Sequence, residues 1–140
     1  MKLLQVEVFQ KMQDVPSSQP VKLEKINQIL NEIKEKGNLL GVLFAYRDGD
    51  LISENTGDLI ESKSFIAMCA SVLGSAESLG NTVGERKVGR LIAELEDQTI
   101  MIIGCDDTTF LALILNRESI LGHVFKELDN YIQKLIKNYK

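Results

Sequence analysis

The stretch 87-KVGRLIAELEDQTIMIIGCDDTTFLALIL-115 decides the fold class. It contains three apolar segments with two short polar connections between them: 87–95, 99–105 and 109–115. Connections this short are typical of β-hairpins. The second and third segments are apolar at consecutive positions, which indicates strands buried on both faces. A sheet buried on both faces needs helices on both sides.

A further hairpin and three helices complete the pattern. Residues 39–46 are nearly all apolar, Asp48-Gly49 supplies a tight turn, and residues 51–55 return antiparallel. Apolar residues at three- and four-residue spacing predict three helices, over residues 21–36, 62–82 and 118–139. The order is helix, two strands, helix, three strands, helix. This predicts an α+β fold with a five-stranded, mainly antiparallel sheet and helices on both faces.

The second predicted helix has few charges. Its core-facing stripe is expected to contain Phe65, Cys69, Val72, Ala76 and Leu79, widened by Ile66, Met68 and Leu73. The opposite face holds small or neutral residues: Ala67, Ala70, Ser71, Gly74, Ser78 and Asn81. Glu77 is the only charge between Phe65 and Val83. Because a solvated helix face normally carries several charges, we expect either another part of this chain or a partner subunit to pack against it.

Length and charge limit the class of protein. A chain of 140 residues suits one domain with one core. A net charge of −4 disfavours nucleic acid as the main partner, because phosphate binding needs a concentrated basic stripe. No apolar run is long enough for a membrane span, and the first residues do not resemble a signal peptide. We therefore expect a cytoplasmic protein.

The first 20 residues differ from the rest. Leu4, Val6 and Val8 alternate with polar residues, a weak strand signal, and residues 14–20 are rich in turn formers. The predicted organisation is an N-terminal arm and linker over residues 1–20, followed by a domain over residues 21–140.

The residues of catalytic and cofactor sites are missing from the sequence. His123 is the single histidine, so a multi-histidine zinc site is excluded, and its pairing with Cys69 or Cys105 is a minor alternative to buried free thiols. The sequence has no phosphate-binding loop, and carboxylate pairs such as Asp106-Asp107 are typical turn formers. We expect no enzyme activity, no metal and no cofactor.

The sequence resembles the roadblock/dynein light-chain family over residues 21–139. The resemblance is carried by the hairpin around Arg47-Asp48-Gly49, by the small-residue stretch 70–74, by residues 87–94, and by residues 111–115 followed by 120–122. It implies a dimer in which the third strand pairs with its copy and the second helices pack together. It also implies small Ras-like GTPases as partners, in some cases with assistance to GTP hydrolysis, or a light-chain or scaffold role.

The resemblance and the helix pattern together predict two sets of residues. The homodimer interface is expected to include Ala67, Ala70, Gly74, Lys87, Val88, Gly89, Arg90, Leu91 and Ile92. The partner-binding surface is expected to include Ser71, Ser75 and Ser78, whose small polar side chains allow close approach. The leading hypothesis is a dimeric, non-catalytic GTPase regulator. The alternatives are a structural adaptor of a larger assembly and, disfavoured by the apolar segments, a small-molecule sensor.

Overall fold

The computed structural model describes residues 19–58 and 60–140, and residues 1–18 of the predicted arm lie outside these ranges. The elements are α1 (Gln19–Gly37), β1 (Gly41–Tyr46), β2 (Leu51–Asn55), α2 (Ser62–Asn81), β3 (Arg90–Glu94), β4 (Thr99–Gly104), β5 (Thr109–Leu115), α3 (Gly122–Lys126) and α4 (Leu128–Tyr139). The predicted order of helices and strands and the α+β class are confirmed. None of the described helices has the length and apolar character needed to cross a membrane.

The five strands form one sheet in the order β2-β1-β5-β4-β3, and every neighbouring pair is antiparallel. The central strand β5 is buried along its whole length, as its continuous apolar sequence predicts. Strands β2 and β3 are the two edges of the sheet.

The strands alternate between two cores because successive side chains point to opposite faces. Phe44 and Leu113 belong to the core under α1, α3 and α4, whereas Leu43 and Ala112 belong to the core under α2. All four are completely buried. Full burial of one large aliphatic or aromatic side chain contributes about 1.5–3 kcal/mol.

The boundaries of the first and last helices differ from those predicted. Helix α1 begins at Gln19, inside the segment expected to be linker, with Pro20 in its first turn, where a missing N–H is no loss. In place of the single last helix predicted over residues 118–139, the structure has two shorter helices, α3 and α4. Helix α3 does not start at residue 118 because the Ile120 amide donates to the carbonyl of Gly37 at 2.7 Å and the Ser119 hydroxyl donates to that of Asn38. These bonds hold residues 119 and 120 against the end of α1, ahead of the first turn of α3.

Strand β3 is also shorter than the predicted 87–95. Its first residue, Arg90, pairs with Ile103, and β4 ends one residue later at Gly104. The chain then turns at Cys105 and Asp106, the positions opposite Val88 and Lys87, so these two residues have no residue of β4 to pair with. They belong to the connection between α2 and β3.

Candidate interaction surface

The face that helix α2 turns to the sheet is shifted from the centre of the predicted stripe toward Ile66 and Leu73. The buried residues are Ile66, Cys69 and Leu73. Of the stripe expected to face the core, Phe65 and Ala76 are half-buried, and Val72 and Leu79 are exposed. The prediction was wrong for these last two residues and for Met68, which is also exposed. Helix α2 is apolar on most of its circumference, and a helical wheel cannot show which side meets the sheet.

The outer face of α2 therefore carries large apolar side chains, three of which, Met68, Val72 and Leu79, were predicted to face the core. Met68 and Leu79 are each 67% exposed, Val72 is 42% exposed, and Val83, just after the helix, is 62% exposed. Single exposed apolar residues are ordinary, but a row along one helix marks a contact surface. We call Met68, Val72, Leu79 and Val83 the α2 apolar row.

The serines predicted for partner binding lie beside this row. Ser71, Ser75 and Ser78 are all exposed on α2. At 100° per residue they point within roughly 60° of the direction opposite the core-facing residues. The predicted partner-binding residues and the α2 apolar row thus share one outward surface.

The small residues predicted for the dimer interface lie on the flank of α2. Ala67 and Gly74 are exposed and Ala70 is half-buried. A Cβ atom added to Gly74 would meet no atom of the described chain within 4 Å. Nothing within the protomer therefore requires a glycine there, and the open space beside the helix can receive another backbone.

The remaining predicted interface residues lie along β3 and just before it. Side chains alternate on the strand, so Leu91 lies on the α2 face of the sheet and is half-buried. On the other face, Arg90 stacks over the ring of Phe125 at 4.7 Å, and Ile92 remains 55% exposed. Of the connection residues, Lys87 and Gly89 are exposed, and Val88 is half-buried against the α2 core.

A tight turn fixes this connection to the end of α2. The Arg86 amide donates to the carbonyl of Gly80 at 3.0 Å. Gly84 and Glu85 both adopt the left-handed conformation, with φ of 97° and 56°. A Cβ atom on Gly80 would collide with the Arg86 carbonyl oxygen, so glycine is required at this close approach. The turn holds β3 next to the end of α2.

Arg47 joins α2 to the rest of the sheet. Its Nε donates to the backbone carbonyls of Asp106 at 2.8 Å and Thr109 at 3.3 Å, while its Nη1 forms an ion pair with Glu77. Glu77 is the only charge between Phe65 and Val83, and this ion pair explains its place in an otherwise uncharged stretch of the helix. A cleft of about 830 Å³ with both signs of charge lies beside the pair.

The thiols and the histidine do not form a reactive pair. Burial raises the pKa of Cys69 to about 11 and that of Cys105 to about 12, so both stay protonated at neutral pH. The His123 ring instead lies 3.3 Å from the Tyr131 hydroxyl oxygen. Within residues 19–58 and 60–140, no three histidine, cysteine or carboxylate side chains are grouped as metal ligands would be.

Comparisons with known proteins agree with this architecture. A family model described as Roadblock/LC7 domain matches residues 25–115. No curated protein matches the sequence. Among solved structures, MglB from Myxococcus xanthus is similar with a TM-score of 0.76 at 19% identity, covering 84% of this chain and 89% of that one.

Two further solved structures have the same likeness. The gliding protein mglB from Thermus thermophilus matches with a TM-score of 0.74 at 14% identity, covering 84% of this chain and 90% of its own. A Roadblock/LC7 domain from Streptomyces avermitilis matches with a TM-score of 0.73 at 15% identity, covering 81% and 96%. At such identities the likeness establishes a shared fold.

Proposed function

The chain belongs to the Roadblock/LC7 domain family, and on that premise we propose that it is a dimeric, non-catalytic regulator or scaffold that binds a small Ras-like GTPase. The α2 apolar row carries this proposal. Four large apolar side chains on one outward surface need a partner to cover them. The sequence resemblance supplies the class of that partner.

The dimer is proposed to form through β3 and the flank of α2. Strand β3 is an edge with unpaired backbone groups, and such an edge is a template for strand pairing. Pairing two copies antiparallel would place the two-fold axis perpendicular to the sheet and bring both α2 helices to the same face. Gly74, beside which the described chain leaves open space, would then permit close approach of the two helices, whereas Ala67 lies against Gly49 of the β1–β2 turn. Residues 87–92 would complete the interface.

The GTPase is proposed to bind across the paired α2 helices. Ser71, Ser75 and Ser78 with the α2 apolar row would form one platform over the two-fold axis. Because one platform serves two protomers, the stoichiometry is one GTPase per dimer. The switch segments of a Ras-like GTPase change shape with the bound nucleotide, so affinity should differ between the GTP and GDP states.

A role without catalysis is supported by the chemistry of the described residues. The thiols are held protonated, and in the cleft beside Arg47 the Arg47 guanidinium is engaged by Glu77 and by backbone carbonyls. A structural adaptor is the second candidate, since it would use the same surfaces without nucleotide dependence. A cytoplasmic location stays a prediction, and the two free cysteines agree with a reducing compartment.

Titration calorimetry tests the proposal. Ras-like GTPases from the same organism, loaded with GDP or a GTP analogue, are titrated into the protein. We expect one GTPase per dimer and tighter binding in one nucleotide state. Ser71→Glu and Ser78→Arg should each weaken binding at least about tenfold, because they place a charge in a desolvated contact.

The matched control is Gln133→Glu, which adds the same charge as Ser71→Glu on an exposed residue of α4, on the opposite face. It should leave GTPase affinity unchanged. Equal affinity in both nucleotide states, insensitive to the serine substitutions, would favour the adaptor and refute the regulator.

A further inference from the structure

Five lysines lie together where the beginning of α1 meets the end of α4: Lys22, Lys25, Lys134, Lys137 and Lys140. The two helices are in contact there, because the Lys22 Nζ donates to the Lys140 carbonyl at 2.9 Å. Lys25 and Lys134 line one shallow cleft between the helices. We call these five residues the lysine patch. It lies on the face of the sheet opposite α2.

The patch carries five positive charges, which the acidic side chains around it neutralise only in part. Within residues 19–58 and 60–140, Lys140 is the one patch member in an ion pair, with Asp106 at 3.9 Å. Glu32 lines the same cleft as Lys25 and Lys134, and its carboxylate also accepts a hydrogen bond from Tyr131. Residues 130–140 contain three lysines and no acid. In a chain with 20 acidic and 16 basic residues, this local excess is a departure from mixed surface charge.

We propose that the lysine patch binds an anionic lipid surface. The patch contains lysines and no arginine, and lysine is a point charge that lacks the planar fork used to recognise a single carboxylate or phosphate. Lysines spread over two helices suit a diffuse layer of negative charge. A cluster of this size is what anionic membranes attract.

In the proposed dimer, the two lysine patches would be placed to contact one flat lipid surface. If β3 pairs with its copy in one continuous sheet, both lysine patches lie on the same face, and both α2 helices lie on the other. Two patches then touch one flat surface together, and the GTPase platform faces away from it. This step rests on the proposed function, whereas the binding of one patch does not.

Vesicle flotation tests the inference. The full chain is mixed with vesicles of phosphatidylcholine alone or with about one third phosphatidylserine, at about 0.1 M salt. We expect the protein to float with the anionic vesicles and not with the neutral ones. This binding should be lost at about 1 M salt, where exposed charges are screened. Each lysine near an anionic surface strengthens binding about fivefold. The variant Lys25→Gln/Lys134→Gln/Lys137→Gln should therefore bind about a hundredfold more weakly.

A second triple variant controls for net charge. Lys36→Gln/Lys63→Gln/Lys126→Gln removes the same charge from exposed positions outside the patch and should keep binding within about twofold, given the short range of each contact. Equal loss in both variants, binding to neutral vesicles, or binding of polyglutamate in place of vesicles would each overturn the proposal. Light scattering on the same proteins shows whether they are dimers. The test of lipid binding does not depend on that result, because a monomer should need Lys25, Lys134 and Lys137 for vesicle binding just as a dimer does.

Discussion

At the scale of single residues, Asp106 connects both helical layers to the sheet. Its carboxylate accepts hydrogen bonds from the amides of Thr108 and Thr109 at 3.0 and 2.8 Å, from the Thr109 hydroxyl, and from Tyr139 on α4. Its carbonyl accepts from Arg47, which pairs with Glu77 on α2. Partial desolvation by itself would raise the pKa of Asp106, but the hydrogen bonds outweigh it and the pKa lies below its ordinary value of 3.8.

The lowered pKa sets the sign of a pH dependence. A carboxylate whose pKa is lower in the folded state stabilises the fold above its unfolded pKa, and this contribution is lost as the pH falls from about 4 through the folded-state pKa. Asp106→Ala should lower the melting temperature at pH 7 by about 5 °C, for a loss of about 2 kcal/mol. The difference from the native protein should shrink below pH 4.

The neighbouring exposed residue provides the control for this prediction. Asp107→Ala removes the same charge one position away and should shift the melting temperature by less than about 2 °C, as surface substitutions do. Thermal melts followed by circular dichroism at several pH values measure both variants. A pH-independent effect of Asp106→Ala would show that the hydrogen bonds do not depend on the charge of the carboxylate.

At the scale of the element, helix α2 combines two unlike surfaces. Its inner side packs Ile66 and Leu73 onto the sheet, whereas its outer side is apolar and exposed. It covers its face of the sheet alone, while three helices cover the other, and Leu91 and Ile100 near the β3 edge stay half-buried on the α2 side. A second copy of α2 placed there would bury them further.

Gly74→Arg should separate the proposed dimer without harming the fold. The position has open space, so the side chain fits within the protomer. Replacing a helical glycine should even stabilise α2 by about 0.8 kcal/mol. Light scattering should then report a monomer with an unchanged circular dichroism spectrum, because the long charged side chain blocks close contact between helices. Gly74→Ala, which adds one methyl group, is the matched control and should remain dimeric. A dimeric Gly74→Arg protein would place the interface elsewhere.

At the scale of the whole molecule, the two cores meet at the shared sheet. Central strands such as β5 supply Leu113 to one core and Ala112 to the other, so the two layers unfold together. Both cores consist of residues from Ile26 onwards in the part of the chain that the structure describes. The division into an arm over residues 1–20 and a domain over residues 21–140 stays a prediction, with α1 already begun at Gln19.

Removal of residues 1–15 tests that division. We expect the shortened chain to dimerise as before and to melt within about 2 °C of the full chain, the range of surface changes. If Leu4, Val6 and Val8 instead pack on the domain, truncation would remove several kcal/mol of apolar burial and lower the melting temperature clearly. Calorimetry and light scattering on both chains distinguish the two results.

The sequence alone determined the order of the helices and strands, the hairpins and the family. Period-two and period-3.6 patterns are local, and the run from Thr109 to Leu115 is apolar at almost every position because both faces of β5 are covered. The single charge Glu77 was visible too, but its partner Arg47 lies 30 residues away and no local pattern reveals it.

Only the tertiary structure decided which face α2 turns to the sheet and where strand β3 begins. Val72 and Leu79 were expected in the core and are exposed, because a helix apolar on most sides can present several faces to a sheet at similar cost. The connection at residues 87–89 was expected in β3, but Lys87 and Val88 lie opposite Asp106 and Cys105, beyond the end of β4 at Gly104. Which surface stays exposed depends on what packs against it, and that is a property of the assembled fold.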